Sequence, residues 1–271
     1  MQSFGLKAFD ACRRSAKTVL IAATITTGTF VAGCGETSGS EAGFTDEQTV
    51  EIKTIVREYL LENPQILQEM ITALEVQNQE EQARQAAAAI SENRDQLINP
   101  GGAFVAGNPE GDVTLVEFFD YMCTFCRAAL PDLNRLLEED PNLRLVYIDY
   151  PVLADRSVAS LVASSASIAA AKQGKYVELH QRLMGHEDQL QEQDVLKIAQ
   201  DIGLDMEQLV EDMNADPTIV RIEANMELAE KLGITGTPSF VLGDKVIEGA
   251  VGYDALLAAI TAARASQSTD D

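Results

Sequence analysis

Apolar residues recur at helical spacing twice in the first third of the chain. Ile52, Ile55, Val56, Tyr59 and Leu60 form one stripe, Pro64 interrupts, and Ile66, Leu67, Met70, Ile71 and Leu74 form a second. This pattern predicts helix from Asp46 to about Asp95 with a turn at Pro64, and Thr45 with Gln48 three residues on supplies a capping box at its start. Beyond Val76 the segment QNQEEQARQAAAAISENRDQ keeps strong helix formers but offers little to bury, so it bridges parts or packs weakly. The two stripes are too small to be a self-sufficient core. They pack on the main domain or on another copy of themselves.

After Asn99-Pro100-Gly101-Gly102 the pattern changes. The β-branched and aromatic run Val113 to Phe119 predicts a buried strand, Arg127 to Glu139 a helix interrupted by Pro131, and Leu143 to Tyr150 a second strand. A mostly helical stretch from about Asp155 to Leu232 follows, and its alanine-rich part at 159–171 reads as close-packed helix without chemistry of its own. A third strand enters at Pro238, which is tolerated at a strand's first position and suits a cis bond at a tight entry. Gly243-Asp244 turns it into a hairpin with Lys245-Val246-Ile247, and residues 253–265 form a closing helix.

The first 33 residues have another character. A basic region ends at Lys17, and the apolar stretch Thr18 to Ala32 is short for a spanning helix, which needs about 20 residues. This is the pattern of a signal peptide. It ends in Val31-Ala32-Gly33-Cys34, which resembles the bacterial lipobox, in which cleavage leaves a diacylated cysteine as the new N-terminus; the other reading is an ordinary signal with an incidental cysteine. Gly35 after the cysteine favours the outer membrane by resemblance to enterobacterial sorting. Residues 34–45, polar and glycine-rich, read as a flexible tether. The formal charge is −23, and Lys7, Arg13, Arg14 and Lys17 against Asp10 make the first 33 residues +3, leaving −26 on the remainder. So acidic a body repels phosphate backbones and argues against nucleic acid as a partner.

The chemistry gathers where the first strand ends. Asp120-Tyr121-Met122 leads into Cys123-Thr124-Phe125-Cys126 at a helix start. Free backbone N–H groups and the positive helix end there stabilise a thiolate on Cys123, and Cys126, one turn later, is placed to attack a mixed disulfide. The rival reading is half a zinc site, which needs a second pair of ligands. With Cys12 in the signal and Cys34 lipidated, only His180 and His186 are left to supply them, so the count favours redox chemistry with no metal and no cofactor. His180 shares a helical face with Tyr176 and Leu183 and reads as a packed structural histidine.

The segments VEFFDYMCTFC, QGKYVELHQRLM and GITGTPSFVLG, in that order, resemble the DsbA-type branch of the thioredoxin superfamily over about residues 104–265. The stalk, especially YLLENPQILQEM, is similar to the N-terminal region of ScsC-like envelope proteins, where the region can oligomerise. The resemblance implies an α/β thioredoxin fold over 99–266 with a helical insertion at about 155–231, preceded by a helical stalk at 46–98. It also implies that Thr237 and Pro238 stand against Cys123, keep metals out and offer backbone groups to a bound peptide. Glu117 matches an acidic position of the family that could take a proton from Cys126; a surface glutamate at a strand end is the alternative. Thr124-Phe125 departs from the Pro-His pair of the strongest family oxidants, and Phe125 offers the thiolate no donor, which implies a less oxidising disulfide. The expected function is disulfide exchange with periplasmic protein thiols and disulfides, together with a membrane redox partner, by a lipid-anchored, periplasm-facing envelope protein. Assembly into a homodimer or homotrimer would suit an isomerase. The other classes are a thiol-containing binding protein or chaperone, including a copper chaperone, and a structural protein on a thioredoxin scaffold.

Overall fold

The computed structural model describes residues 44–100 and 104–267, in two units that divide after Glu62. The signal segment 1–33, Cys34 and most of the tether lie outside the described residues. In the first unit, helix α1 (Asp46–Glu62) opens on a reciprocal cap. Thr45 N–H donates to Gln48 Oε1 at 2.9 Å and Gln48 N–H to Thr45 Oγ1 at 3.2 Å. None of its residues is buried. A helix of this length is marginal in water unless an apolar face finds a partner.

The second unit begins with α2 (Gln65–Glu92) and α3 (Arg94–Ile98). The α2 stripe at Leu67, Met70, Ile71 and Leu74 is exposed. Further on the helix finds a use that its composition does not advertise: Ile90 is buried, as is Leu97 of α3, and both join Val116, Phe118, Val146 and Ile148 on one face of the central sheet. Leu228 and Leu232 close the same face.

That sheet has the order β1-β3-β2-β4-β5, with β1 (Val105–Gly107), β2 (Val113–Phe119), β3 (Leu143–Asp149), β4 (Ser239–Leu242) and β5 (Lys245–Glu248). Only β2 and β3 run parallel. Covered on both faces, they are nearly continuous apolar runs, as buried parallel strands require. The second face carries Val113, Leu115, Phe119, Leu145 and Tyr147, packed against α4 (Thr124–Glu139) and the helices after β3. These are α5 (Val158–Lys172), α6 (Tyr176–Met184), α7 (Glu192–Asp201), α8 (Met206–Met213) and α9 (Asp216–Lys231), the last contributing Ile222 to this face and Leu228 to the other. In α5 the small residues Ala163, Ala166, Ala169 and Ala170 are buried, which lets α6, α7, α8 and α9 all approach it. Helix α10 (Tyr253–Gln267) completes the layer through Leu256 and Ile260.

Two details differ from the sequence reading. β1 is an added edge strand of three residues, too short for alternation to reveal. Helix α4 starts at Thr124, not Arg127, because Arg127 N–H already donates to Cys123 O, at 3.2 Å.

Candidate active site

Strand alternation builds the site from below. Residues 113, 115, 117 and 119 of β2 share one face, so Glu117 points toward the layer that holds the cysteines. It stands opposite Tyr147 of β3 and Phe240 of β4. Only 1% of it is exposed, and its Oε1 has no hydrogen-bond partner. Burial first, and then the negative charge on Cys123, push its carboxyl up to about 8. At neutral pH Glu117 is a neutral acid.

At the end of β2 the chain turns through Asp120, Tyr121 and Met122, and Cys123 becomes the N-cap of α4 in extended conformation. Its N–H donates to Asp120 O at 3.0 Å. Its Sγ lies 3.1 Å from the carbonyl oxygen of Thr237, to which the thiol donates. The side chain of Cys126, hydrogen-bonded to Cys123, does most to lower the Cys123 pKa. Burial opposes this, and the Thr237 side chain with the N–H groups of Cys126 and Phe125 helps bring the group down to about 6. Cys126 is 1% exposed, and burial drives its thiol far up, with the hydrogen bond to Cys123 and the charge of Glu117 adding to the effect. Both cysteines are free thiols. One is poised to be an anion near neutral pH and the other to keep its proton.

The peptide bond between Thr237 and Pro238 is cis, and Pro238 O accepts from Gly249 N–H at 2.8 Å. Glu117, Cys123, Cys126 and Thr237 are thus gathered into one site, with Pro238 adjoining Thr237. Cys34 lies outside the described residues. Phe125, between the cysteines, is 64% exposed and presents an apolar ring beside Cys123.

Other polar groups near the site escaped the sequence reading. Asp120 and Asp149 are both buried. Asp149 Oδ2 accepts from Tyr176 OH at 2.7 Å, and burial raises its carboxyl to about 7. Their one sequence signal is a carboxylate directly ending an apolar run. The His180 ring lies tilted against that of Tyr147, with centroids 4.0 Å apart, and places Nδ1 3.2 Å from Tyr121 OH. Burial drops its pKa to about 3, so it is neutral and belongs to the aromatic packing under the site.

Comparison with known proteins gives the family and the fold. Residues 114–261 match the family described as DSBA-like thioredoxin domain, and residues 48–81 match the copper resistance protein ScsC N-terminal domain. A thioredoxin-like oxidoreductase from Silicibacter pomeroyi DSS-3 is 47% identical with a TM-score of 0.60, covering 64% of this chain and 98% of its own. A linker-deletion mutant of Proteus mirabilis ScsC is 27% identical with a TM-score of 0.61, covering 84% of this chain and 100% of its own. A Na(+)/H(+) antiporter NhaA of Salinispora tropica is 32% identical over 169 residues, 62% of this chain and 26% of the antiporter. The chain spans about a quarter of the length of such curated relatives.

Proposed function

The chain belongs to the DSBA-like thioredoxin-domain family, and we propose that it is a thiol-disulfide oxidoreductase of the bacterial cell envelope that works on protein substrates through Cys123 and Cys126. The observation that carries this reading is the geometry of the pair, with Cys123 at the N-cap of α4 beside the cis Thr237-Pro238 bond and Cys126 and Glu117 buried behind it. In the reducing direction, the Cys123 thiolate attacks a substrate disulfide. One S–S bond forms to Cys123 and one breaks, releasing a substrate thiolate. With the Cys123 charge gone, Glu117 loses its proton to the released substrate thiolate; its carboxylate then takes the proton of Cys126, which attacks Cys123 Sγ, frees the second substrate sulfur as a thiolate and leaves the Cys123–Cys126 disulfide. The oxidising direction is the reverse, with Glu117 returning the proton to departing Cys126. Thr237 and Pro238 line the substrate's approach, and a membrane redox partner resets the pair.

The exposed stripes support assembly into a homodimer or homotrimer. Ile55, Tyr59 and Leu61 of α1 are more than half exposed, as are Leu67, Met70 and Leu74 of α2. Linked sites raise the effective concentration of a second encounter, which suits an isomerase that attacks a misfolded substrate repeatedly. Light scattering on the soluble form, residues 35–271, is expected to give the mass of a dimer or trimer. A chain beginning at Gln77 keeps Ile90 and Leu97 in the core and is expected to be a monomer with little power to reactivate scrambled ribonuclease. A monomer's mass for each form would remove the isomerase reading.

We further propose that Cys34 is diacylated, that residues 1–33 are absent from the mature protein, and that the anchor faces the periplasm, at the outer membrane. Mass spectrometry of the mature N-terminus should find lipid on Cys34. An unmodified Cys34 would reduce the address to an ordinary signal.

A further inference from the structure

Asp120 joins two parts of the molecule that the reaction scheme treats separately. Its main chain meets both cysteines: its carbonyl accepts the Cys123 N–H at 3.0 Å, and its backbone N–H is a hydrogen-bond partner of the Cys126 sulfur. Its side chain, fully buried, is held elsewhere. Oδ1 accepts from Met122 N–H at 2.8 Å, the local bond of an Asx turn. Oδ2 accepts from Leu153 N–H at 2.9 Å and from Ser160 Oγ at 2.7 Å. Leu153 belongs to the connection after β3, and Ser160 to the first turn of α5.

A turn before a helix needs only one side-chain oxygen, and asparagine or serine provides it without burying a charge. Burial raises the Asp120 carboxyl, and the three donated hydrogen bonds work against that rise. Burying a carboxylate is costly unless its hydrogen bonds are made, so the second oxygen has a use, and that use is the helical insertion. We propose that Asp120 is a positioning residue for disulfide exchange: clamped by Leu153 and Ser160, it holds the Tyr121-Met122 turn so that both cysteines keep the geometry in which the Cys123 thiolate is favoured. The inference rests on the oxidoreductase reading above. It gives the insertion a part in setting the redox poise, beyond any surface it offers a substrate.

Two substitutions test it in the full-length protein. Asp120→Asn keeps shape and the Asx turn but turns an NH₂ toward a donor, so one of the clamp bonds is lost. Ser160→Ala removes a single donor and leaves the rest of the fold alone. The readouts are the pH profile of Cys123 alkylation and the equilibrium with glutathione. In D120N the alkylation midpoint is expected to rise. The equilibrium should move about tenfold toward the protein disulfide, about 30 mV more reducing, because a less favoured thiolate destabilises the reduced form. S160A, which loses one bond without setting one donor against another, should move both the same way by about a third as much. A purely structural Asp120 would lower the thermal midpoints of the oxidised and reduced forms equally and leave both readouts at wild-type values, and that result overturns the proposal. A downward alkylation midpoint overturns it too, since loss of the charge would then outweigh loss of position. If D120N does not fold, S160A alone decides. Wild-type Cys123 inert at every pH would instead remove the oxidoreductase reading itself.

Discussion

Replacing Cys123 by serine is expected to lower disulfide exchange by on the order of a thousandfold or more, because a hydroxyl cannot replace a thiolate as nucleophile or form the mixed disulfide. Cys126→Ala should behave differently. Cys123 still attacks, but nothing intramolecular resolves the product, so substrates stay attached and are visible as adducts on non-reducing gels. The pH dependence carries more information. With its thiol at about 6, wild-type Cys123 is mostly thiolate at pH 7, and its alkylation rate should rise with a midpoint near 6. The largest cause of that low value is the Cys126 side chain, so C126A should move the midpoint upward by a unit or more toward an ordinary cysteine. Linkage gives a second signature. A folded pKa below the unfolded one adds stability that is present above the unfolded value and lost as pH falls through the folded one. For Cys123 alone, the reduced protein therefore gains stability as pH rises from about 6 to about 9. Labelling of Cys126 before Cys123 would reverse the roles, and two inert thiols would end the enzymatic reading.

What could be read before any coordinates were known follows from how local each signal is. Strands β2 and β3 are continuous apolar runs, the Cys123-to-Cys126 spacing is four consecutive residues, and Thr237-Pro238 stands directly before an apolar strand. Each is complete within a short window. The clamp on Asp120 is not, because its partners lie 33 and 40 residues away, and those of Asp149 lie 27 and 76 residues away. A carboxylate at the end of an apolar run looks the same whether it faces water or three buried donors. The start of α4 was misplaced for a related reason: Thr124 and Phe125 are indifferent helix formers, and the bond from Arg127 N–H to Cys123 O decides the boundary. Composition alone likewise hid Ile90, the buried residue of α2, which lies in its polar second half and joins Val116 and Ile148 on one face of the sheet.

Glu117→Gln is expected to slow resolution of the mixed disulfide by about a hundredfold, the scale of a lost general base, and to do so without slowing the first attack by Cys123. The separation follows from the charges. While Cys123 is a thiolate, its charge adds to burial in holding Glu117 protonated, at about 8. When Cys123 bonds to a substrate, that charge is gone and Glu117 ionises more readily. At that step Cys126, whose thiol burial and its neighbours hold far up, has to lose its proton. The same carboxyl leaves a mark on stability. A folded pKa raised above the unfolded 4.5 gives a contribution fully present below about 4.5 and lost as pH rises through about 8. Between those values only the folded state holds the proton, and stability falls by about 1.4 kcal/mol per pH unit. In reduced protein the rise from Cys123 opposes this fall above pH 6, so the clean experiment uses the oxidised form, in which neither thiol titrates. There burial alone still raises Glu117, and the wild type should lose urea resistance from pH 5 toward pH 7 while E117Q stays nearly flat. Parallel stability profiles would mean that Glu117 is ionised in the folded state. An unchanged resolution rate from pH 6 to 9 would mean that Cys126 gives its proton to water instead.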